Sequence, residues 1–435
     1  MSSTASTSTP GRRPRLLIIG GGFAGLNLAK TIDKRSWDVT IIDRHNYHSF
    51  PPLFYQVASS GLESSDICFP FRREIRSRKV KGADYRFGDV RSVDFARKEV
   101  STQFETIPYD ALVIAAGTTN NFFNIPDLHK HVFTLKSVSQ AIRCRNEVLD
   151  RLERASISRD PAERARLLTF VVVGGGPTGV EIAGALGEMK RYVIPREYPA
   201  ISRDDVRVIL VEGTDTLLRT MSPRSGKDAL KALGQLMVEV RLGKSMKTYD
   251  RGVVTFSDDT TIETETVIWT AGVTGESFEI KGSDVAPGPG NRWIVDEFNR
   301  VQGLSDVYAL GDISLHISEK YPKGCPQLAQ VAIQQARTLG RNLNSGRFDK
   351  PFKYRDMGSM ATIGRNRAVV DIGRTHLSGW LAWVAWMAVH LMSLLGMRNK
   401  AVVLINWVVS YFTFSAGLRL MLRPSKYPVR SYWED

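Results

Sequence analysis

The chain has 435 residues, 43% hydrophobic and 24% charged, with 36 Gly, 19 Pro and only 3 Cys. At ~100–200 residues per domain it holds roughly two to four domains, and its composition excludes a collagen-like or wholly disordered protein. Its net charge of +14, from 59 Lys+Arg against 45 Asp+Glu, suits nucleic acid, an anionic membrane or acidic substrates. Cys68, Cys144 and Cys325 have no paired spacing, which excludes a disulfide framework or a Cys-based zinc site and fits a reducing compartment. His129 and His131 read as surface residues, and no metal is expected.

Residues 1–15 (MSSTASTSTPGRRPR) read as a flexible tail rather than a transit-peptide fragment, and they lack the apolar run of a secretory signal. A short apolar strand at 16–19 ends in Gly20-Gly21-Gly22-Phe23-Ala24-Gly25. A helical stretch follows at 26–32, then a second strand at 39–42 that ends on Asp43. The pattern returns further on. Residues 170–173 lead into Gly174-Gly175-Gly176-Pro177-Thr178-Gly179, a helix at 180–186, and a strand at 206–211 that ends on Glu212. The chain therefore carries two βαβ units.

Between the copies lie a Pro/Phe-rich stretch at 49–71, alternating segments at 83–87 and 98–104, and a strand at 111–115 that closes on Ala116-Gly117. After the second copy come a hairpin pattern at 253–265, a strand at 266–270 before Ala271-Gly272, and a strand at 307–310 before Gly311-Asp312. A helical pattern runs from 327 to about 343. Alternating strands and helices predict an α/β class with mainly parallel sheets.

In such a turn the first Gly permits the strand-to-helix bend, the second admits a pyrophosphate, and the third lets the helix pack on the strand. Phosphates then meet the free N–H groups at the helix start. One glycine turn alone is weak evidence; two complete copies, each with an acid ending the next strand, make chance unlikely as their origin. Asp43 and Glu212 occupy the ribose-binding position, where a carboxylate repels the 2′-phosphate of NADP, so NADH is expected over NADPH. Two dinucleotides on one chain imply a flavin reductase in which FAD and NADH carry the chemistry. This accounts for a sequence without a nucleophilic triad or metal cluster.

The series GGGFAG, Asp43, NYHSFPPLFYQVA, ALVIAAGT, VVVGGGPTGVEIAGAL, IWTAGV, VYALGDI and LAQVAIQ resembles the type II NADH:quinone oxidoreductases, single-subunit respiratory flavoproteins that do not pump protons. The glycine motifs are shared with a wider superfamily. The segment Ala329-Gln330-Val331-Ala332-Ile333-Gln334 is more specific, because it matches that family's AQxAxQ quinone signature.

The resemblance implies non-covalent FAD at Gly20, Gly22, Gly25, Asp43, Gly117, Gly311 and Asp312. It implies NADH at Gly174, Gly176, Gly179, Glu212 and Gly272. Glu181 would sit beside the nicotinamide, handling a proton, and Gln330 and Gln334 would meet the quinone. The last two lie four apart and so share a helical face. Each has a bland alternative: the wet side of an amphipathic helix for the glutamines, an acid complementing the helix dipole for Glu181.

Competing families differ in their cysteines. Disulfide reductases need a CxxxxC that is missing from 56–65. Sulfide:quinone oxidoreductase is the alternative enzyme, with Cys325 as its one qualifying thiol and Cys68 or Cys144 as partner. A slow-turnover FAD/NADH-binding redox signalling protein is the alternative of a different class.

From 398 to 430 there are six basic residues, Arg398, Lys400, Arg419, Arg423, Lys426 and Arg430, with no acid between Asp371 and Glu434. They overlap the most apolar stretches, 377–397 and 401–418. That combination points to anionic lipids rather than nucleic acid. On a helical wheel Ser378, Gly379, Ala382, Ala385, His390, Ser393 and Gly396 share a small face, opposite Trp380, Trp383, Met387, Leu391, Leu394 and Leu395; Trp386, Val389 and Met397 break the pattern. The expectation is monotopic anchoring rather than spanning.

The expected organisation is a tail at 1–15, an FAD-binding domain in two parts at 16–125 and 286–375, and an NADH-binding domain at 126–285. Two Rossmann-like domains in a glutathione-reductase-like arrangement would precede amphipathic anchoring helices at 376–435. A homodimer on the cytoplasmic face of a bacterial inner membrane is expected, ahead of a mitochondrial inner membrane.

Overall fold

The computed structural model describes residues 12–413 and 419–421. Most of the expected tail lies outside the described residues, as do Arg423, Lys426 and Arg430. In chain order the strands that position the sites are β1 (Arg15–Ile19), β2 (Asp38–Asp43), β3 (Ala83–Phe87), β4 (Ala111–Ile114), β5 (Phe133–Thr134), β6 (Thr169–Val173) and β7 (Arg207–Glu212). They continue with β8 (Val238–Leu242), β9 (Thr266–Trp269), β10 (Val307–Ala309), β11 (Ser359–Thr362), β12 (Ala368–Ile372) and β13 (Thr375–Gly379). The helices are α1 (Phe23–Thr31), α2 (Phe54–Ala58), α3 (Val138–Ile157), α4 (Pro177–Glu188), α5 (Pro223–Gln235), α6 (Ala329–Ser345), α7 (Trp380–Ser393) and α8 (Met397–Thr413).

Two compact units result. The first holds the chain up to 49 with 68–121 and 273–357; the second holds 50–67, 122–272 and the chain from 358 on. Residues 50–67, 122–125 and 358–375 thus cluster with the second glycine turn, and 273–285 with the first, each opposite to where the sequence boundaries put them. Packing explains the difference: α2 rests on α3 and α4, β11 rests on α4, and β12 rests on α5.

The first unit is built on a parallel sheet of order β10-β4-β1-β2-β3. Leu16, Leu17, Ile18, Ile41, Ile42 and Leu112 are almost wholly buried, as expected of short apolar strands covered on both faces. The second unit repeats the plan with order β5-β9-β6-β7-β8, again all parallel. In each sheet the chain leaves the central strand toward one edge and later returns on its other side. That reversal makes a crevice at the strand carboxyl ends, where open α/β sheets bind ligands. The turns at Gly20 and Gly174 both stand at these points.

The hairpin pattern at 253–265 forms an antiparallel pair, Val253–Phe256 with Thr261–Glu263. The stretch 377–397 is not one helix. Residues 377–379 finish β13, Gly379 takes φ +77°, and α7 starts at Trp380. Gly396, at φ +79°, separates α7 from α8. Ser378 and Gly379 therefore do not belong to a small helical face. The burial pattern is rotated as well: Ala382 and Trp386 are buried, while Trp380, Leu381, Val389 and Met392 are exposed. Among the described residues no helix is long and apolar enough to cross a membrane.

Candidate functional site

Gly20, at φ +95°, bends the chain out of β1, and a Cβ there would lie 2.4 Å from the Ala115 carbonyl oxygen. A Cβ on Gly25 would meet the Gly20 carbonyl oxygen at 1.9 Å, so only glycine lets α1 pack back onto the strand. Gly22 is different. No atom lies within 4 Å of its notional Cβ, which leaves a cradle at the uncapped start of α1. The free N–H groups of the first helical turn suit a phosphate in that cradle. Asp43, ending β2, accepts from the Gly21 N–H at 2.7 Å and from the His45 N–H at 2.8 Å. Burial pushes its carboxyl above the ordinary range against the pull of those two N–H groups.

Gly117 follows β4 at φ +75° with open space beside it. Gly311 and Asp312 form a short turn after β10, where Gly311 takes φ +74°. A Gly311 Cβ would lie 3.2 Å from Ala332 and 3.4 Å from Ala24, so α6 and α1 both close on this turn. The Gly311 N–H donates to Gln335 Oε1 at 2.7 Å, and Gln335 Nε2 donates to Ser314 Oγ at 3.0 Å. Gln335 is fully buried and holds the turn. Sequence reasoning missed it, although its place on the buried stripe Val331, Ala332, Gln335, Ala336, Leu339 was available as a signal.

The second turn repeats the geometry. Gly174 has φ +112°, and its Cβ would lie 2.8 Å from the Ala271 nitrogen. A Gly179 Cβ would meet the Gly174 carbonyl oxygen at 1.8 Å, and Gly176 faces open space. Pro177 opens α4, at the position where a helix tolerates proline best. Glu212 accepts from the Gly175 N–H at 2.5 Å and, on its other oxygen, from Thr214 N–H and Oγ at 2.8 and 2.9 Å. Gly272, φ +72°, follows β9 as Gly117 follows β4. Both cradles fit a dinucleotide pyrophosphate with its ribose on the carboxylate.

Glu181 lies on α4 and is buried. Burial drives its carboxyl well above the ordinary range, and the Thr362 N–H only partly opposes this. It sits past the first helical turn, beyond the N–H groups through which the helix dipole acts most strongly. Gly184 allows α4 to approach 363–364, with its notional Cβ 3.0 Å from the Gly364 nitrogen.

Gln330 and Gln334 sit on one side of α6. Gln330 Oε1 accepts from the Met357 N–H at 2.8 Å. Gln334 pairs with the Arg355 backbone, donating to its carbonyl at 2.8 Å and accepting from its N–H at 3.0 Å. Both amides therefore hold the 355–357 segment.

Cys68, Cys144 and Cys325 are free thiols. Burial pushes Cys68 and Cys144 up to about 12 and raises Cys325 too. Such thiols are poor thiolate nucleophiles. Cys325 Sγ lies 3.6 Å from His316 Nδ1 and packs among Val331 and Phe352 as a small apolar group.

Two parallel sheets, each with a glycine cradle at its switch point, define the class of two-dinucleotide oxidoreductases. Residues 14–336 match the family model described as pyridine nucleotide-disulphide oxidoreductase, and 357–414 match the NDH2 C-terminal domain. The chain is 34% identical to the type II NADH:quinone oxidoreductase Ndh of Mycobacterium tuberculosis, over 94% of this chain and 91% of that one. The solved structure of NDH2 from Plasmodium falciparum in complex with NADH shares the fold at TM-score 0.86 and 20% identity, covering 95% of this chain and all of that one. The sulfide:quinone oxidoreductase of Aquifex aeolicus shares it less closely, at TM-score 0.69 and 18% identity, over 92% and 95%. This chain belongs to the type II NADH:quinone oxidoreductases.

Proposed function

We propose that the protein oxidises NADH and delivers two electrons by way of FAD to a membrane quinone, without translocating protons. The observation that carries this reading is the pair of open cradles at Gly22 and Gly176, each with a ribose-binding acid, in a chain of this family. FAD, when bound, supplies a carrier that takes a hydride from NADH and passes the electron pair to an oxidant.

The protein's part is to hold and orient. Gly20, Gly22, Gly25 and the start of α1 hold the FAD pyrophosphate, Asp43 accepts from its ribose, and Gly117 and the Gly311–Asp312 turn flank the rest. Gly174, Gly176, Gly179 and Gly272 do the same for NADH, with Glu212 on the adenosine ribose. Glu181, whose burial favours the protonated carboxyl, handles a proton beside the nicotinamide. Gln330 and Gln334 border the quinone site by fixing 355–357.

The exposed apolar side chains of α7 and α8, among them Leu381 (65%), Met392 (72%) and Phe412 (76%), dip into the lipid interface. Each gains about 1.5–3 kcal/mol when fully buried. Arg398 and Lys400 meet anionic head groups. This gives a monotopic protein on the cytoplasmic face of a bacterial inner membrane, with a homodimer as its assembly. No resident metal is part of the proposal.

Anaerobic stopped-flow tests the reading. NADH should bleach the bound flavin, and a quinone should restore its colour within a turnover. Sulfide offered as donor should leave it oxidised; bleaching by sulfide but not by NADH would refute the assignment. Flotation with anionic vesicles tests the anchor, and replacing Leu381, Met392 and Phe412 together by Ser should release the protein.

A further inference from the structure

Helix α8 presents more than an apolar face. On its other side Asn406 Nδ2 donates to Asp66 Oδ2 at 3.1 Å, and Trp407 Nε1 donates to Gln56 Oε1 at 2.8 Å. An indole N–H can only donate. The Gln56 oxygen must therefore face Trp407, which turns the amide NH2 toward Tyr55, whose hydroxyl oxygen accepts at 2.8 Å. The chain of donors runs one way, and it leaves the Tyr55 hydroxyl hydrogen as its terminal donor. Burial, reinforced by the nearby Glu181, holds that phenol well above its ordinary range, so the hydrogen stays. Tyr55 is only 6% exposed, and the bond it accepts from Gln56 is the one its hydroxyl makes among the described residues, which leaves its own hydrogen to be given.

A second donor stands beside it. Trp386, on α7, is 1% exposed, and its ring meets that of Tyr55 edge-on at 6.4 Å between centroids. Its Nε1–H is buried without a hydrogen-bond partner. His390 stacks on Trp386 at 4.0 Å, and burial pushes its imidazole down to about 4, so it adds no cation. The Trp407 ring lies 5.8 Å from that of Trp386. A buried donor left unpaired costs about 1–3 kcal/mol. Two such donors, from different elements, stand among aromatic rings with the Glu181 and Glu188 carboxyls acting on Tyr55, which calls for an uncharged acceptor rather than an anion.

We propose that Tyr55 and Trp386 are hydrogen-bond donors to a carbonyl oxygen of the oxidising quinone, with Gln56 and Trp407 as the residues that position Tyr55. This rests on the quinone-reductase reading above and adds the groups that grip the head group. It also gives α7 and α8 a second role, since the helices proposed to anchor the protein would also set the geometry of its oxidant site.

The test uses holoenzyme with Tyr55→Phe and, as a milder variant away from the donor pair, Trp407→Phe, which keeps an aromatic ring but loses the N–H. Flavin pre-reduced with NADH is mixed anaerobically with a short-tailed ubiquinone analogue or with ferricyanide, which has no carbonyl to grip. Binding of the same quinone to oxidised enzyme is measured by calorimetry. Loss of one hydrogen bond to the carbonyl is expected to weaken quinone binding about tenfold and to slow quinone reoxidation about tenfold relative to ferricyanide. Trp407→Phe should move both readouts in the same direction by less. Equal slowing with both oxidants, or an unchanged quinone affinity in Tyr55→Phe, overturns the assignment alone. A wild-type reduced flavin that quinone cannot reoxidise overturns it together with the reading it rests on.

Discussion

The two glycine turns are near copies in backbone and part company two residues after the third glycine. Both sheets share the strand pattern β4-β1-β2-β3 and β9-β6-β7-β8, with the outermost strand supplied late in one unit and early in the other. Both turns use positive φ at the first glycine, a near-contact at the third and open space at the second. Beyond that, α1 carries Asn27, whose amide donates to the Phe23 carbonyl of its own helix at 2.8 Å. At the matching place α4 carries Glu181, buried, with its carboxyl pushed above the ordinary range by that burial. The backbone frame answers a demand common to both cradles, room for phosphates. What each cradle can do next is written by the side chain that the helix turns inward.

The largest expected effect separates the cradles. Gly22→Ala and Gly176→Ala each add a methyl where no protein atom lies within 4 Å, at ordinary φ, so thermal unfolding should hardly move. The methyl instead crowds the ligand, at a cost of about 1–3 kcal/mol. Gly22→Ala should purify with less flavin. Gly176→Ala should keep its flavin while its KM for NADH rises roughly ten- to a hundredfold; loss of flavin from that variant would break the division of labour.

Next is the acid of the second turn. Glu212→Ala removes the partner of the Gly175 N–H and, on the proposed reading, of the ribose hydroxyls. NADH binding should weaken about tenfold in titrations, while NADPH binding changes little, so the preference between them narrows.

Glu181 sharpens the contrast with Asn27 through pH. Its folded-state pKa lies above the unfolded value, so its favourable share of stability is complete below the unfolded pKa and is lost as pH rises through the folded one. Glu181→Gln cannot ionise. Its melting temperature should fall less on the alkaline side than that of the wild type, in scans across pH.

The smallest effect concerns a tie found in the second unit. His376 on β13 bonds Asp371 through Nδ1 at 2.8 Å and Asp228 of α5 through Nε2 at 2.9 Å. Burial lowers its pKa, but those two carboxylates outweigh burial and hold it above the ordinary value. This tie is complete below about 6.5 and weakens as pH rises through the raised pKa. His376→Gln should flatten that dependence by about 2–4 °C in melting temperature, with the wild-type and variant curves converging at high pH.

Much of this was legible along the chain. The glycine and acid spacings of both turns, the strands feeding them, the helix behind Gln330 and the break from disulfide chemistry all follow from short stretches. The limits are equally specific. A run without charges at 377–397 looked like one helix, yet Gly379 and Gly396 divide it. A wheel put Trp386 outside either face, and the fold buries it. The QQ pair at 334–335 gave no hint that its second member supports Gly311.

The sequence by itself determined the two cradles, because each is closed by residues within one turn or by strands held in parallel register, and local sterics at glycine admit few solutions. Only the tertiary structure decided which unit owns 50–67, which amide holds the Gly311 turn, and that Trp407 reaches Gln56. Those contacts join residues far apart along the chain. Periodicity says that a helix has an inner face but not what waits against it; that is settled when the elements pack and each buried donor finds, or fails to find, its acceptor.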